Sequence, residues 1–262
     1  MELNLNDKIA LVTGGSKGIG FGIAEFLASE GASVILLARS GVDLERAKAN
    51  ITANGGTVLK LIKADLSDQR IEDIIKSQIT PHDMYPNILI NNSGGPPIGN
   101  FLEHDIENWY KYVDQNLFST IRLTKLFSKN MIENKWGRII NITSTNAIEP
   151  SSEMVISSTL RSAISAYSKS VSLTLAQTGV TINTICPGGV STDRLLNLIK
   201  SKSERDNVTE KKALSAAQNS IPMGRFAKPE ELGSLVSFLC SQHADYLTGR
   251  VYCFDGGLVK GF

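Results

Sequence analysis

The chain has 262 residues, 42 % of them hydrophobic and 20 % charged, with a formal net charge of +1. That is enough apolar material for one large α/β domain or two small ones. A near-neutral balance without a run of lysine or arginine argues against a nucleic-acid or anionic-membrane surface.

The amino terminus, "MELNLNDKIALVTGG", has acidic residues where a signal peptide carries positive ones. No apolar run approaches the roughly 20 residues of a membrane span, so a cytoplasmic protein without a membrane partner is expected. Cys186, Cys240 and Cys253 are odd in number and far apart, which suits core filler in a reducing compartment. His82, His104 and His243 show no metal-ligand spacing with one another or with cysteine, so no metal site is expected.

Along the chain, short apolar runs alternate with amphipathic stretches. "KIALVTG" leads into a helical pattern over 18–30, and "SVILLAR" into another over 42–54. "TVLKLIKAD", "NILINNS", "GRIINITS" and "GVTINTICPG" follow. Runs apolar on both faces, separated by helices, predict βαβ units feeding a parallel sheet. No linker, repeat or low-complexity tract divides them, so residues 1–262 read as one doubly wound α/β domain. The charge-rich segment 193–221 follows a strand end, where a lid over a substrate crevice would sit; a solvent-exposed helical excursion fits the same composition.

Between the first strand and its helix stand Thr13, Gly14, Gly18 and Gly20. Glycines permit a tight turn and let backbone approach a pyrophosphate, which the free N–H groups and dipole of a helix amino terminus stabilise. A purely structural strand-to-helix turn can use the same glycines.

The ordered set Gly14-x-x-x-Gly18-x-Gly20, "KADLSD", "NNSGG", "QNLFS", "IINITS", "CPGG" with Thr192, "GRFAKPEELGSLVSFLCS" and "YLTGRVYCFDGG" covers nearly the whole chain. It resembles the short-chain dehydrogenase/reductase family, and within it the 3-oxoacyl-acyl-carrier-protein reductases. The resemblance implies a single Rossmann domain with a parallel sheet of about seven strands, and a homodimer or homotetramer formed partly through the terminal strand. It implies a dinucleotide held at Gly14, Ser16, Lys17, Gly18, Ile19 and Gly20. Asp65 falls at the adenine-contacting position, although capping of the next helix is compatible with it. Asn91 falls where the family steadies its central strands beside the cofactor, followed by Gly94. Pro187, Gly188 and Thr192 resemble the turn that closes over the nicotinamide.

NAD-specific members carry an acidic residue after the second strand, for the ribose 2′-hydroxyl. Here Ala38 and Arg39 stand there, and Arg39 with Lys17 would favour a 2′-phosphate, so NADP(H) is expected over NAD(H). The alternative is a surface arginine with poor discrimination.

In this family the catalytic roles fall to asparagine, serine, tyrosine and lysine. Asn116 matches the asparagine that holds a water and steadies a helix bend, and Ser144 matches the serine that hydrogen-bonds the substrate oxygen. The tyrosine normally precedes the lysine by four residues, on one helix face. Counting forward from Ser144 and backward from Asn183 both place Ser157 in the tyrosine slot, which puts Arg161 in the lysine slot. Tyr167 does not restore the pattern: four residues beyond it is Val171, and Lys169, two beyond, is roughly 200° around the helix. Serine is a far poorer acid than tyrosine, and arginine cannot shuttle a proton. A further departure is Ser93, where the family usually has a small apolar residue, followed by Pro96 and Pro97, which stiffen the loop.

Two functions follow. One is an NADP(H)-dependent oxidoreductase interconverting a carbonyl and an alcohol, with Asn116, Ser144, Ser157 and Arg161 forming a non-standard acid/base site. The other is a catalytically weak or inactive dinucleotide-binding protein, a sensor or an assembly subunit.

Overall fold

The computed structural model describes residues 2–79 and 84–261; His82 lies outside them. Seven strands, β1 (Ile9–Thr13), β2 (Ser33–Ala38), β3 (Thr57–Lys63), β4 (Ile88–Asn91), β5 (Gly137–Ile142), β6 (Val180–Pro187) and β7 (Val251–Phe254), form one sheet. Every pairing is parallel and the strand order is β3-β2-β1-β4-β5-β6-β7. The chain therefore works outward in one direction from β1 and, after crossing back to β4, outward in the other.

The helices are α1 (Gly18–Ser29), α2 (Gly41–Ala53), α3 (Ile71–Gln78), α4 (Ile106–Tyr112), α5 (Ser119–Glu133), α6 (Val155–Leu175), α7 (Asp193–Arg205), α8 (Glu210–Asn219) and α9 (Pro229–Cys240). Helix starts have local causes. Ser40 caps α2 by accepting from Asp43 N, Asp105 caps α4 through Asn108 N, and Thr192 caps α7 through Leu195 N. At α9, Pro229 opens the first turn and the Glu231 carboxylate accepts from Lys228 N at 2.7 Å.

The alternation within each strand supplies two apolar layers. Ala10 and Val12 of β1 and Val34 and Leu36 of β2 join one buried cluster with α1, α2 and α9. Leu11, Ile35 and Leu37 join a second, with α3 and α5 on the opposite face. This is why the strands read as continuous apolar runs. The α1–α9 contact is a close one: a Cβ on Gly22 would lie 2.5 Å from the Pro229 Cβ, and one on Gly233 would lie 2.9 Å from the Gly22 carbonyl.

Cys186 and Cys240 are core residues, but Cys253 is exposed, correcting the expectation for all three. It lies on β7, at the sheet's edge, where alternate side chains leave the core. No helix among the described residues is long and apolar enough to cross a membrane.

Candidate active site

The carboxyl ends of β1 to β6 meet one crevice of about 440 Å³. Gly14 follows β1, Arg39 follows β2, and Asp65 follows β3. Asn92 to Gly95 follow β4, Thr143 and Ser144 follow β5, and Pro187 and Gly188 close β6. The crevice thus spans the point where strand order reverses, between β1 and β4, the place where open α/β sheets bind ligands. Thr13 and Asn92 join the two sides. The Thr13 hydroxyl donates to the Asn92 carbonyl at 2.8 Å and accepts from Asn92 N at 2.9 Å, while Asn92 Nδ2 donates to the Thr13 carbonyl at 3.1 Å.

The first turn is built of backbone. Gly14 and Gly18 have φ of 59° and 57°, which favours glycine. A Cβ on Gly20 would sit 2.2 Å from the Gly14 carbonyl oxygen, so the turn closes only without a side chain there. No side chain caps α1, whose amino-terminal residues Gly18 and Ile19 line the crevice with Ser16 and Lys17; Gly20 supports them from behind. An uncapped helix start beside glycine backbone is chemically suited to a pyrophosphate.

Beside it stand two cation–carboxylate pairs. Lys17 Nζ is 3.5 Å from Asp43 and Arg39 Nη1 is 4.0 Å from Asp65, with the cationic side chains 65 % and 70 % exposed. At such exposure the pairs are weak and open to exchange for a stronger anion. Asp65 does not cap α3. Its Oδ1 accepts from both Ser67 N and the Ser67 hydroxyl at 2.9 Å, closing a turn ahead of the helix, while Oδ2 faces Arg39.

Ser144, Ser157 and Arg161 line the opposite end of the crevice. Helix α6 presents Ser157 and Arg161, one turn apart and both buried, from the same face. The Ser157 hydroxyl has no hydrogen-bond partner among the described residues, and Ser144 Oγ accepts only from Asn146 N, at 3.3 Å. Arg161 is fixed by donating to the carbonyls of Ile142 at 2.9 Å and Ser93 at 3.3 Å. Burial, and then the neighbouring Arg194 charge, push its pKa down to about 10, so it stays cationic at neutral pH. Tyr167 and Lys169 do not line the crevice; Tyr167 is half-buried behind it and Lys169 is exposed.

Two asparagines act from outside the wall. Asn91 donates to Asn141 Oδ1 at 2.8 Å, and Asn141 donates to the Ser168 hydroxyl at 2.7 Å, tying β4, β5 and α6 into one polar chain. Asn116 lies fully buried in a π-helical stretch, Val113–Phe118, between α4 and α5. Its Nδ2 donates to the Tyr112 carbonyl at 3.1 Å, and its Oδ1 accepts from the Ser93 hydroxyl at 2.8 Å. Ser93, not Asn116, reaches the crevice.

Residues 8–203 match the short chain dehydrogenase family. The chain belongs to the short-chain dehydrogenases. It is 34 % identical to D-beta-hydroxybutyrate dehydrogenase of Cupriavidus necator, over 97 % of this chain and 99 % of that protein. It is also 34 % identical to 3-oxoacyl-acyl-carrier-protein reductase of Aquifex aeolicus, over 98 % of this chain and 100 % of that protein. Among solved structures it is similar to L-sorbose reductase from Gluconobacter frateurii, complexed with NADPH and L-sorbose. There the TM-score is 0.93 at 29 % identity, with both chains fully covered.

This short-chain dehydrogenase also brings to the crevice residues that sequence reading missed. Gln115 donates to the Gly94 carbonyl at 2.8 Å, and Arg194 donates to the Pro96 carbonyl at 2.9 Å. Asn146 donates to Met154 Sδ at 3.3 Å on the wall near Ser144. Arg194 follows the flagged Thr192 by two residues, and Gly95 signals it: a Cβ there would meet the guanidinium at 2.6 Å. Helix α7 supplies Asp193, Arg194, Leu195 and Leu198 to the wall, whereas no α8 residue lines it.

Proposed function

We propose that this short-chain dehydrogenase is an NADP(H)-dependent oxidoreductase that interconverts a carbonyl and an alcohol, with Ser157 and Arg161 in the places of the family's tyrosine and lysine. The observation that carries the reading is the convergence of the glycine turn, Arg39 and the Ser144–Ser157–Arg161 row on one crevice at the strand-order reversal. The NADPH complex of the similar L-sorbose reductase supports the cofactor choice.

Gly14, Ser16, Gly18 and Ile19 would hold the pyrophosphate, with Gly20 keeping the turn closed. Arg39, Ser40 and Lys17 would take the 2′-phosphate, exchanging the weak contacts with Asp65 and Asp43 for a doubly charged group. Asn91 and Gly94 brace the middle of the crevice, and Pro187, Gly188 and Thr192 close its far side. Helix α7 serves as the covering element of the 193–221 segment, with α8 packed behind it. The bound cofactor supplies or accepts the hydride.

The chain's own residues handle the oxygen. In the reducing direction, the Ser144 and Ser157 hydroxyls donate hydrogen bonds to the carbonyl oxygen, and the fixed charge of Arg161 stabilises the negative charge that grows there. Neither serine is acidic enough to give up its proton permanently at neutral pH. The proton comes from water, and the Ser93 hydroxyl, held by Asn116, offers a polar group at the crevice surface. The alkoxide takes that proton and leaves as an alcohol.

The experiment is a binding titration with NADPH and NADH, followed by cofactor oxidation over a panel of ketones, oxo acids and oxo esters. Turnover that disappears in Ser144→Ala and Arg161→Ala supports the enzyme. Tight NADPH binding without turnover, with activity gained in Ser157→Tyr/Arg161→Lys, identifies a non-catalytic dinucleotide-binding protein.

A further inference from the structure

Two guanidinium groups flank the substrate end of the crevice, and neither is ion-paired among the described residues, although the Asp193 carboxylate lines the same wall. Arg161 reaches it from α6 and Arg194 from the first turn of α7; both line the wall. Both hold the loop after β4: Arg161 donates to the Ser93 carbonyl and Arg194 to the Pro96 carbonyl. Neither is within 4.0 Å of a carboxylate oxygen among the described residues, whereas Lys17 and Arg39, at the other end, both are. Arg161 is 5 % exposed, an unusual place for an uncompensated charge. Carbonyls satisfy only part of a guanidinium's donor fork, leaving N–H groups on each arginine uncommitted.

Such a pair matches a planar oxyanion, and a guanidinium is the side chain best suited to grip a carboxylate in two-point fashion. The open wall there is completed by Ser144, Ser157, Met154 and Leu198, which leave room for a small carbon skeleton. Building on the oxidoreductase reading above, we infer that the substrate is a short free oxo acid or hydroxy acid. Arg194 grips its carboxylate and Arg161 lies beside the reacting oxygen. A carrier-bound oxoacyl thioester, neutral at this end, leaves Arg194 without a partner.

The test measures kcat/KM with saturating NADPH for 2-oxobutanoate and 3-oxobutanoate against their methyl esters, in the natural protein, Arg194→Gln and Arg194→Lys. The natural protein is expected to prefer at least one acid over its ester by tenfold or more; Arg194→Gln brings that ratio close to one and Arg194→Lys restores part of it. A purely structural role for Arg194 lowers acid and ester alike and leaves the ratio unchanged. An ester used as well as its acid by the natural protein overturns the proposal, as does a loss in Arg194→Gln that falls on NADPH affinity, which assigns Arg194 to the cofactor's phosphates. Calorimetric titration of the same acids and esters into the NADP⁺-loaded protein separates this proposal from the reading on which it rests. Acid-selective binding that depends on Arg194, without turnover, defeats the oxidoreductase reading and keeps the anion site. Turnover without acid preference does the reverse.

Discussion

The Ser93 hydroxyl donates to Asn116 Oδ1 at 2.8 Å, and it is that oxygen's donor among the described residues. Asn116 is fully buried at a π-helical turn, so its amide has to be satisfied from within the protein. Ser93→Ala leaves the oxygen without its donor. Stability is expected to fall by about 1–3 kcal/mol, measured by urea denaturation, with the loss partly recovered in Ser93→Thr.

Arg161 and Tyr167 sit on one helix but in different surroundings. In the proposed role, removing the Arg161 charge in Arg161→Ala should lower kcat by roughly 10² to 10³, the size seen when a preorganised electrostatic stabiliser is deleted. Tyr167 lies outside the crevice, so Tyr167→Phe should change kcat/KM by less than about threefold. A loss in Tyr167→Phe as large as that in Arg161→Ala would return the catalytic role to Tyr167.

Arg39 is exposed and leans toward Asp65 at 4.0 Å. If it reads a 2′-phosphate, Arg39→Ala should reduce the preference for NADPH over NADH by about tenfold, less than a buried charge-assisted bond would give, because solvent and Asp65 compete. The ratio of the two kcat/KM values measures it.

Glu231 accepts two hydrogen bonds from Arg225, at 2.7 and 2.8 Å, and one from Lys228 N at 2.7 Å. The Arg225 contacts first, and then the backbone N–H, hold its carboxyl down to about 2, against an ordinary value of 4.5. A depressed folded-state pKa means that unfolding takes up a proton in this range. The stabilisation is fully present above about 4.5 and is lost as the pH falls toward 2. Glu231→Gln should therefore melt below the natural protein at pH 7, with the gap narrowing as acidity increases below 4.5. A gap independent of pH would show that shape, not charge, holds this helix start.

The sheet was legible because its strands are buried on both faces. A strand such as β1, with Val12 in one apolar layer and Leu11 in the other, has to be apolar throughout. The glycine turn was legible because Gly14 and Gly20 touch backbone to backbone, leaving no residue choice. The contacts that shape the substrate end were not. Arg161 meets Ser93, and Arg194 meets Pro96, across 68 and 98 residues of chain, and neither pairing leaves a local period. The π-helical turn at Asn116 likewise leaves no local period, although the family resemblance implied a helix bend there. Asp65 showed how a short polar side chain misleads: the residue suits a helix cap, but the chain turns at Ser67 before α3 begins.

The loop that Arg161 and Arg194 hold is attached to those two arginines by its carbonyls, and carbonyls are present whatever the side chains are. Its docking therefore constrains the two arginines far more than it constrains Pro96 or Pro97. Those positions can drift, reshaping the mouth of the crevice, while the anchoring bonds persist. At the glycine turn the arrangement is reversed, because there the backbone is the fitted part and no drift is tolerated. A descendant of this protein could acquire a new substrate by changes confined to the mouth, with its nucleotide machinery inherited intact.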